Sequence, residues 1–185
     1  MRIISGKLKG KKILQPKDKM TRPLKDLTKE SIFNILKHSN LFSVDIKNSD
    51  VLDLFSGVGS FGLECLSRGA ASVIFLENYK QTISVLKQNI LNLNFMKFSK
   101  VLNDDIFNEK ALKQLKKKFD IIFIDPPYKE KRIRELIEKI TELNLLKKEG
   151  ILIIHRHKKE KDLLPKRFKI LQNKTYGISK VIFGT

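Results

Sequence analysis

From residue 51 onward the apolar positions of the chain alternate between two rhythms. Compact runs rich in Val, Ile, Leu and Phe at 51–55, 72–77, 99–103, 119–124 and 150–154 read as strands, most of them without the polar alternation of a half-exposed sheet. Between them lie helical patterns: one running to about Arg68, one over 81–93, a basic one over 109–118 and one over 132–145. Two more strands, at 168–172 and 178–183, close the chain. Strands alternating with helices of this length predict an α/β fold, a mostly parallel sheet of seven strands with helices on both faces.

Before residue 51 the rhythm is different. Residues 1–14 set short apolar pairs among glycines and lysines, which predicts two short strands around a basic turn, a hairpin. A loop over 16–23 carries Thr21 and Arg22. Leu27, Ile32, Phe33, Ile35 and Leu36 then mark one face of an amphipathic helix over 24–38, and 40–48 is a polar link. The chain therefore divides into an amino-terminal appendage, 1–47, and a main domain, 48–185.

Charge sharpens that division. Of the 185 residues, 38 are Lys or Arg and 20 are Asp or Glu, a net charge of +18. Residues 1–47 hold 12 basic against 4 acidic side chains and residues 150–185 hold 9 against 2, whereas 48–149 hold 17 against 14. The excess sits at the two ends, around a nearly balanced middle. A polyanionic partner follows, and nucleic acid fits better than a membrane because no strongly amphipathic basic helix is evident. No stretch approaches the roughly 18 apolar residues of a membrane span. The single Cys65 excludes an internal disulfide and suits a reducing cytoplasm. His38, His155 and His157 form no zinc-spaced cluster with it, so no metal is expected.

Candidate chemistry lies where strands end. After the first strand, Gly57, Gly59 and Gly62 match G-x-G-x-x-G between a strand and a helix. Glu77, at the end of the second strand, is placed to accept hydrogen bonds from ribose hydroxyls, so the pair points to a nucleoside-containing cofactor. Asp53, just ahead of the glycines, repels a pyrophosphate and suits an ammonium group, which favours S-adenosylmethionine over a nicotinamide dinucleotide. After the third strand, Asp105 is placed to accept from an adenine amine while Ile106 covers the ring; Phe55 stands beside the same site. The fourth strand stops at Asp125-Pro126-Pro127-Tyr128. Two prolines fix φ and donate no hydrogen bond, so this is a stiff turn on the ligand-binding edge of the sheet. It carries a carboxylate, bare carbonyls and an aromatic ring.

In this order, Asp53 to Gly62, Glu77, Asp105 and Asp125-Pro126-Pro127-Tyr128 resemble the successive motifs of class I, Rossmann-like S-adenosylmethionine-dependent methyltransferases. The last resembles the tetrapeptide of enzymes that methylate exocyclic amines. Arg2-Ile3-Ile4-Ser5-Gly6, Gly10-Lys11, Arg22-Pro23, Glu30 to Leu36 and Gly62 to Ala70 are similar to the RsmD family, bacterial 16S rRNA guanine-N2 methyltransferases. The resemblance spans essentially the whole chain. It implies a catalytic turn at Asp125, Pro126, Pro127 and Tyr128, a cofactor site at Asp53, Phe55, Gly57, Gly59, Glu77, Asp105 and Ile106, and 16S rRNA or an assembling small subunit as partner of a monomeric cytoplasmic enzyme. Leu24, Leu27 and His155 depart from residues common in the family: a threonine, a basic residue and an acid.

The basic residues expected to hold the RNA backbone are Arg2, Lys7, Lys9, Lys11, Lys12 and Arg22 at one end and Arg156, Lys158 and Lys159 after the fifth strand. Of His155 and His157, one is expected to turn inward as packing rather than to catalyse, and Cys65, Phe33 and Phe61 are expected to be core. The alternatives are a DNA or RNA adenine-N6 methyltransferase, a nicotinamide-dependent oxidoreductase, and a non-catalytic RNA-binding module on the same fold.

Overall fold

The computed structural model describes residues 1–16 and 24–185. Arg22 lies outside them. Among the described residues five α-helices, α1 (Asp26–His38), α2 (Ser60–Ser67), α3 (Lys80–Asn92), α4 (Glu109–Lys113) and α5 (Ile133–Glu142), alternate with strands β1 (Asp50–Leu54), β2 (Ser72–Glu77), β3 (Ser99–Asn103), β4 (Phe119–Ile124) and β5 (Leu146–His157), followed by β6 (Ile170–Tyr176) and β7 (Ser179–Gly184). They form one seven-stranded sheet in the order β3-β2-β1-β4-β5-β7-β6. The first five pair in parallel, and β7 pairs antiparallel to β5 and β6. The strand order reverses between β1 and β4, which opens a crevice at their carboxyl ends.

The uninterrupted apolar runs have the expected cause: both faces of the sheet are covered. Alternate residues go to opposite layers. Val51, Ile121, Phe123, Ile151 and Ile153 face a core shared with α1, α2 and α3. Leu52, Leu54, Ile122, Ile124, Leu152 and Ile154 face a second core built with α4 and α5. Cys65 is fully buried on α2 in the first of these cores. No described helix is long and apolar enough to cross a membrane.

The predicted hairpin is present in outline, with Arg2 bridging Lys12, Ile3 N–H donating to Lys11 O and Ile13 N–H to Met1 O, but it forms a single bridge rather than two strands. Its outer hydrogen bonds go to the body. Ile4 and Ser5 N–H donate to the two carboxylate oxygens of Glu64 at 2.7 and 2.9 Å, and Lys7 N–H donates to Ser67 O at 2.8 Å. Asn89 of α3 bonds both the N–H and the carbonyl of Leu14. Ile3, Ile13, Leu24, Ile32 and Phe33 belong to the same core as the sheet.

Several element bounds differ from the sequence pattern, most of all those of α4, β5 and β6. The basic helix expected over 109–118 stops at Lys113, because the chain leaves it to bury Leu115 and to carry Lys117 to Asp50 Oδ1 at 2.7 Å. The fifth strand is longer at both ends. Its start pairs Leu146 with Phe119 before a register shift that absorbs Gly150, and its end is extended past β4 by pairing with β7 through His157. The edge strand β6 is set by its partner β7 rather than by its own pattern, and so lies later than 168–172.

Candidate active site

β1 ends at Leu54, and Phe55 turns the chain with a left-handed φ of 57°. Such a conformation in a bulky residue is strained and recurs at functional sites. Gly59 follows with φ 84°, and a Cβ there would meet Leu86 Cδ1 at 2.5 Å, so glycine is required. Gly62, in the first turn of α2, packs against the Phe75 ring, where a Cβ would fall 2.4 Å from Cε1.

The amides of this loop are committed to acceptors of the chain itself. Gly57 N–H donates to Glu77 Oε2 at 2.8 Å, Gly59 N–H to Ser56 O at 2.8 Å, and Gly62 N–H to Asp53 Oδ2 at 3.0 Å. A pyrophosphate would need these donors. Glu77 also receives the N–H groups of Asn78 and Tyr79 on Oε1, so it ties the glycine loop to the start of α3.

These residues line a cleft of about 490 Å³ with the turn after β4. Asp53, Phe55, Gly57, Glu77, Asp105, Asp125, Pro126, Pro127 and Tyr128 all face it. Gly59 shapes the loop without lining it. Ile106 is a correction: it is buried among Leu52, Leu102 and Leu112, and the next residue, Phe107, presents its ring to the cleft instead. An Asx turn in which Phe107 N–H donates to Asp105 Oδ1 reverses the chain there and swaps the two positions.

Five carboxylates, Asp53, Glu77, Asp105, Asp125 and Glu130, line this cleft in a chain of net charge +18, and Arg132 is the guanidinium among them. Arg132 lies 3.6 Å from the centroid of the Phe107 ring and pairs with Glu130. Burial, reinforced by Asp125 and Glu77, pushes the Asp53 carboxyl well above its usual value, against the Gly62 N–H that lowers it. An acidic, partly aromatic pocket of this kind suits a cationic adenosyl ligand and opposes a dinucleotide. Asp53, Glu77 and Asp105 fit such a group: a buried acid for its positive charges, an acid tied to the glycine loop for its ribose, and an acid beside aromatic rings for its base.

The stacked rings of Phe33, Phe61 and Phe123 (centroids 5.1 and 4.0 Å apart) bridge α1, α2 and β4, and Phe61 and Phe123 line the cleft. Leu24 is buried and also lines the cleft, whereas Leu27 is 71% exposed. Met1 and Gln15 reach the rim. That contribution from the amino-terminal segment was not legible in the sequence, since nothing local marks which end of a hairpin docks.

Of the basic residues, Arg2, Lys7, Lys9, Lys11, Lys12, Lys158 and Lys159 are exposed. Arg156 is a second correction. It is fully buried, and its guanidinium donates to Asp162, to Pro127 O at 3.2 Å and to Glu130 O at 2.8 Å, so it cannot contact phosphate. Of the two histidines it is His155 that is buried, with its Nδ1 2.8 Å from Asp125 Oδ1. Among the described residues no group of His, Cys, Asp and Glu side chains is arranged to hold a metal ion.

A family profile described as "Conserved hypothetical protein 95" matches residues 1–185. "Ribosomal RNA small subunit methyltransferase D" of Buchnera aphidicola subsp. Acyrthosiphon pisum is 36% identical over 176 residues, covering 93% of this chain and 86% of that protein. The crystal structure of HI0767 from Haemophilus influenzae superposes with a TM-score of 0.77 at 30% identity, over 100% of this chain and 97% of that one. The structure of SMU.776 complexed with SAH (S-adenosylhomocysteine) shares the fold, with a TM-score of 0.66 at 19% identity over 86% of this chain and 50% of that one.

Proposed function

This chain belongs to the RsmD family, and from that premise we propose that it transfers a methyl group from S-adenosylmethionine to the exocyclic N2 of a guanine in 16S rRNA. The observation that carries the reading is the placement of the Asp125-Pro126-Pro127-Tyr128 turn in the same acidic cleft as Asp53, Glu77 and Asp105. When bound, the cofactor supplies an activated methyl group on a sulfonium centre. Asp53 offers a negative charge to its cationic end, and Glu77 and Asp105 offer acceptors to ribose and adenine.

The amine of a nucleobase is a poor nucleophile because its lone pair is delocalised into the ring. Asp125 and the Pro126 carbonyl accept its N–H bonds, which localises the lone pair on nitrogen and stabilises the positive charge that develops there. Each charge-assisted bond contributes about 1.5–3 kcal/mol. Two prolines keep the carbonyl fixed, so little reorganisation is needed when the amine arrives. Tyr128 stacks on the target base, which contributes about 1–3 kcal/mol and offsets the cost of unstacking it. The exposed lysines of residues 1–47, with Lys158 and Lys159 near the catalytic edge, hold the RNA backbone as an appendage to a monomeric methyltransferase.

Incubating the protein with labelled S-adenosylmethionine and small-subunit RNA or particles, then identifying the modified nucleoside by mass spectrometry, tests the reading. N2-methylguanosine is expected, and Asp125→Ala should lower turnover by about 100-fold or more. N6-methyladenosine as the product would move the substrate to adenine, and an Asp125→Ala protein as fast as the parent would remove the turn from the chemistry.

A further inference from the structure

The last three residues of β5 each support a different part of the 125–130 turn. Ile124 of β4 pairs with Ile154 of β5, so the residue following each strand position, Asp125 and His155, stand side by side. Strand alternation sends His155 and His157 to one face and Arg156 to the other. His155, with 1% of its side chain exposed, places Nδ1 2.8 Å from Asp125 Oδ1. Arg156 holds the Pro127 and Glu130 carbonyls and is itself anchored by two contacts of its Nε with Asp162, at 3.1 and 3.0 Å. The His157 ring meets the Tyr128 ring edge-on, with centroids 4.8 Å apart. The carboxylate and the aromatic ring that the chemistry needs each have a neighbour on one short stretch of strand, and Arg156 between those neighbours holds the turn through the carbonyls of Pro127 and Glu130.

The carboxylate is the part least fixed by the backbone. The terminal torsion of an aspartate is broad and roughly two-fold, so prolines after Asp125 do not set the plane of its oxygens. A donor fixed to one oxygen does. We propose that His155 is a positioning residue for methyl transfer: its imidazole donates Nδ1–H to Asp125 Oδ1 and fixes the carboxylate plane against the incoming amine. The histidine does not touch the substrate, and it takes no proton from it. Its burial supports the role, since a donor on a fully packed strand end has little freedom to follow a rotating acceptor. The inference rests on the methyltransferase reading above and adds to it a residue that neither the glycine loop nor the tetrapeptide contains.

Two near-isosteric variants separate positioning from packing. In His155→Asn the amide nitrogen falls near the place of Nδ1 and keeps the donor, whereas in His155→Gln it falls near Nε2 and loses it. Steady-state kinetics on the RNA substrate that the parent methylates should show His155→Asn within about threefold of the parent kcat and His155→Gln lower by about tenfold or more. KM for RNA and for S-adenosylmethionine should stay within about twofold in both, because the contact matters only when the amine is attacked. Equal kcat values for the two variants, or a loss confined to KM, would overturn the proposal. If His155→Gln does not fold, as judged by circular dichroism, His155→Asn decides alone: near-parental kcat supports the role, and a tenfold loss overturns it. A parent protein that methylates no rRNA would instead overturn the methyltransferase reading, and this inference with it.

Discussion

Asp53 is held in two directions. Burial raises its carboxyl well above the ordinary range, while the Gly62 N–H draws it down. An acid raised in the fold binds an extra proton between its usual value and its raised one, so it makes stability fall as pH rises through that window. A cationic ligand favours the carboxylate and expels that proton. Affinity for S-adenosylmethionine should therefore rise with pH, upward from about pH 4 and by at most about tenfold per unit, in calorimetric titrations. Asp53→Asn should bind more weakly with a flatter pH dependence; a wild-type profile as flat as the variant's would contradict the linkage. At this scale the sequence was informative wherever an acid ended a strand, because parallel strands deliver their ends to one crevice. Asp53, Glu77, Asp105 and Asp125 were legible for that reason. Arg156 was not: its alternation was readable, but its destination depends on Asp162, six residues on in a loop, and on a strand that outruns its parallel partner. Ile106 failed through a single turn, since one Asx-type hydrogen bond exchanges it with Phe107.

Among the elements, α2 has the densest set of duties. Its first turn is bonded to Asp53, its middle buries Glu64, and its last turn receives the hairpin through Ser67. Glu64 is fully buried and meets Lys29 at 3.7 Å, Arg68 at 2.8 Å and two backbone N–H groups of the hairpin. Lys29, whose own ammonium is drawn below its usual value by burial, also donates to Arg2 O at 2.7 Å. Glu64→Ala should cost about 3–5 kcal/mol, because it strands a buried cation and two donors. Urea denaturation measures the loss, and native-state hydrogen exchange should show protection falling first at Ile4 and Ser5. Gly62→Ala tests the other side of α2: with the Phe75 ring in the way, a loss of about 1–3 kcal/mol is expected in the same assay. Strand bounds were the most legible part of the fold. β2, β3 and β4 fall where an apolar run meets a polar or proline stop, a local property. Helix α4 and strands β5 and β6 were misjudged because their ends are set by partners distant in sequence.

Over the whole molecule, a strongly basic surface encloses an acidic cleft, so one chain attracts a polyanion and a small cation without the two sites competing. The hairpin runs beside α2, from Arg2 near Ser60 at the cleft to Lys7 at Ser67. Its lysines thus extend from the catalytic edge along about 12 Å of helix, a reach that suits an RNA backbone crossing the protein. Replacing Lys7, Lys9, Lys11 and Lys12 together with alanine should weaken RNA binding and lower the slope of log affinity against log salt by up to about 0.7 per lost phosphate contact. Filter binding across a salt series reads both quantities. Binding of S-adenosylmethionine should be unaffected, and an unchanged salt slope would remove these lysines from the interface.

Cys65 gives the protein a built-in probe of its own opening. Burial pushes the thiol well above its usual value, so the native chain presents almost no thiolate to a reagent. Alkylation must therefore wait for α2 to lift from the sheet, and with one cysteine in the chain every labelling event reports the same motion. Labelling rates measured with and without ligand then convert cleft occupancy into a change in the lifetime of the packed core, without any tag or mutation.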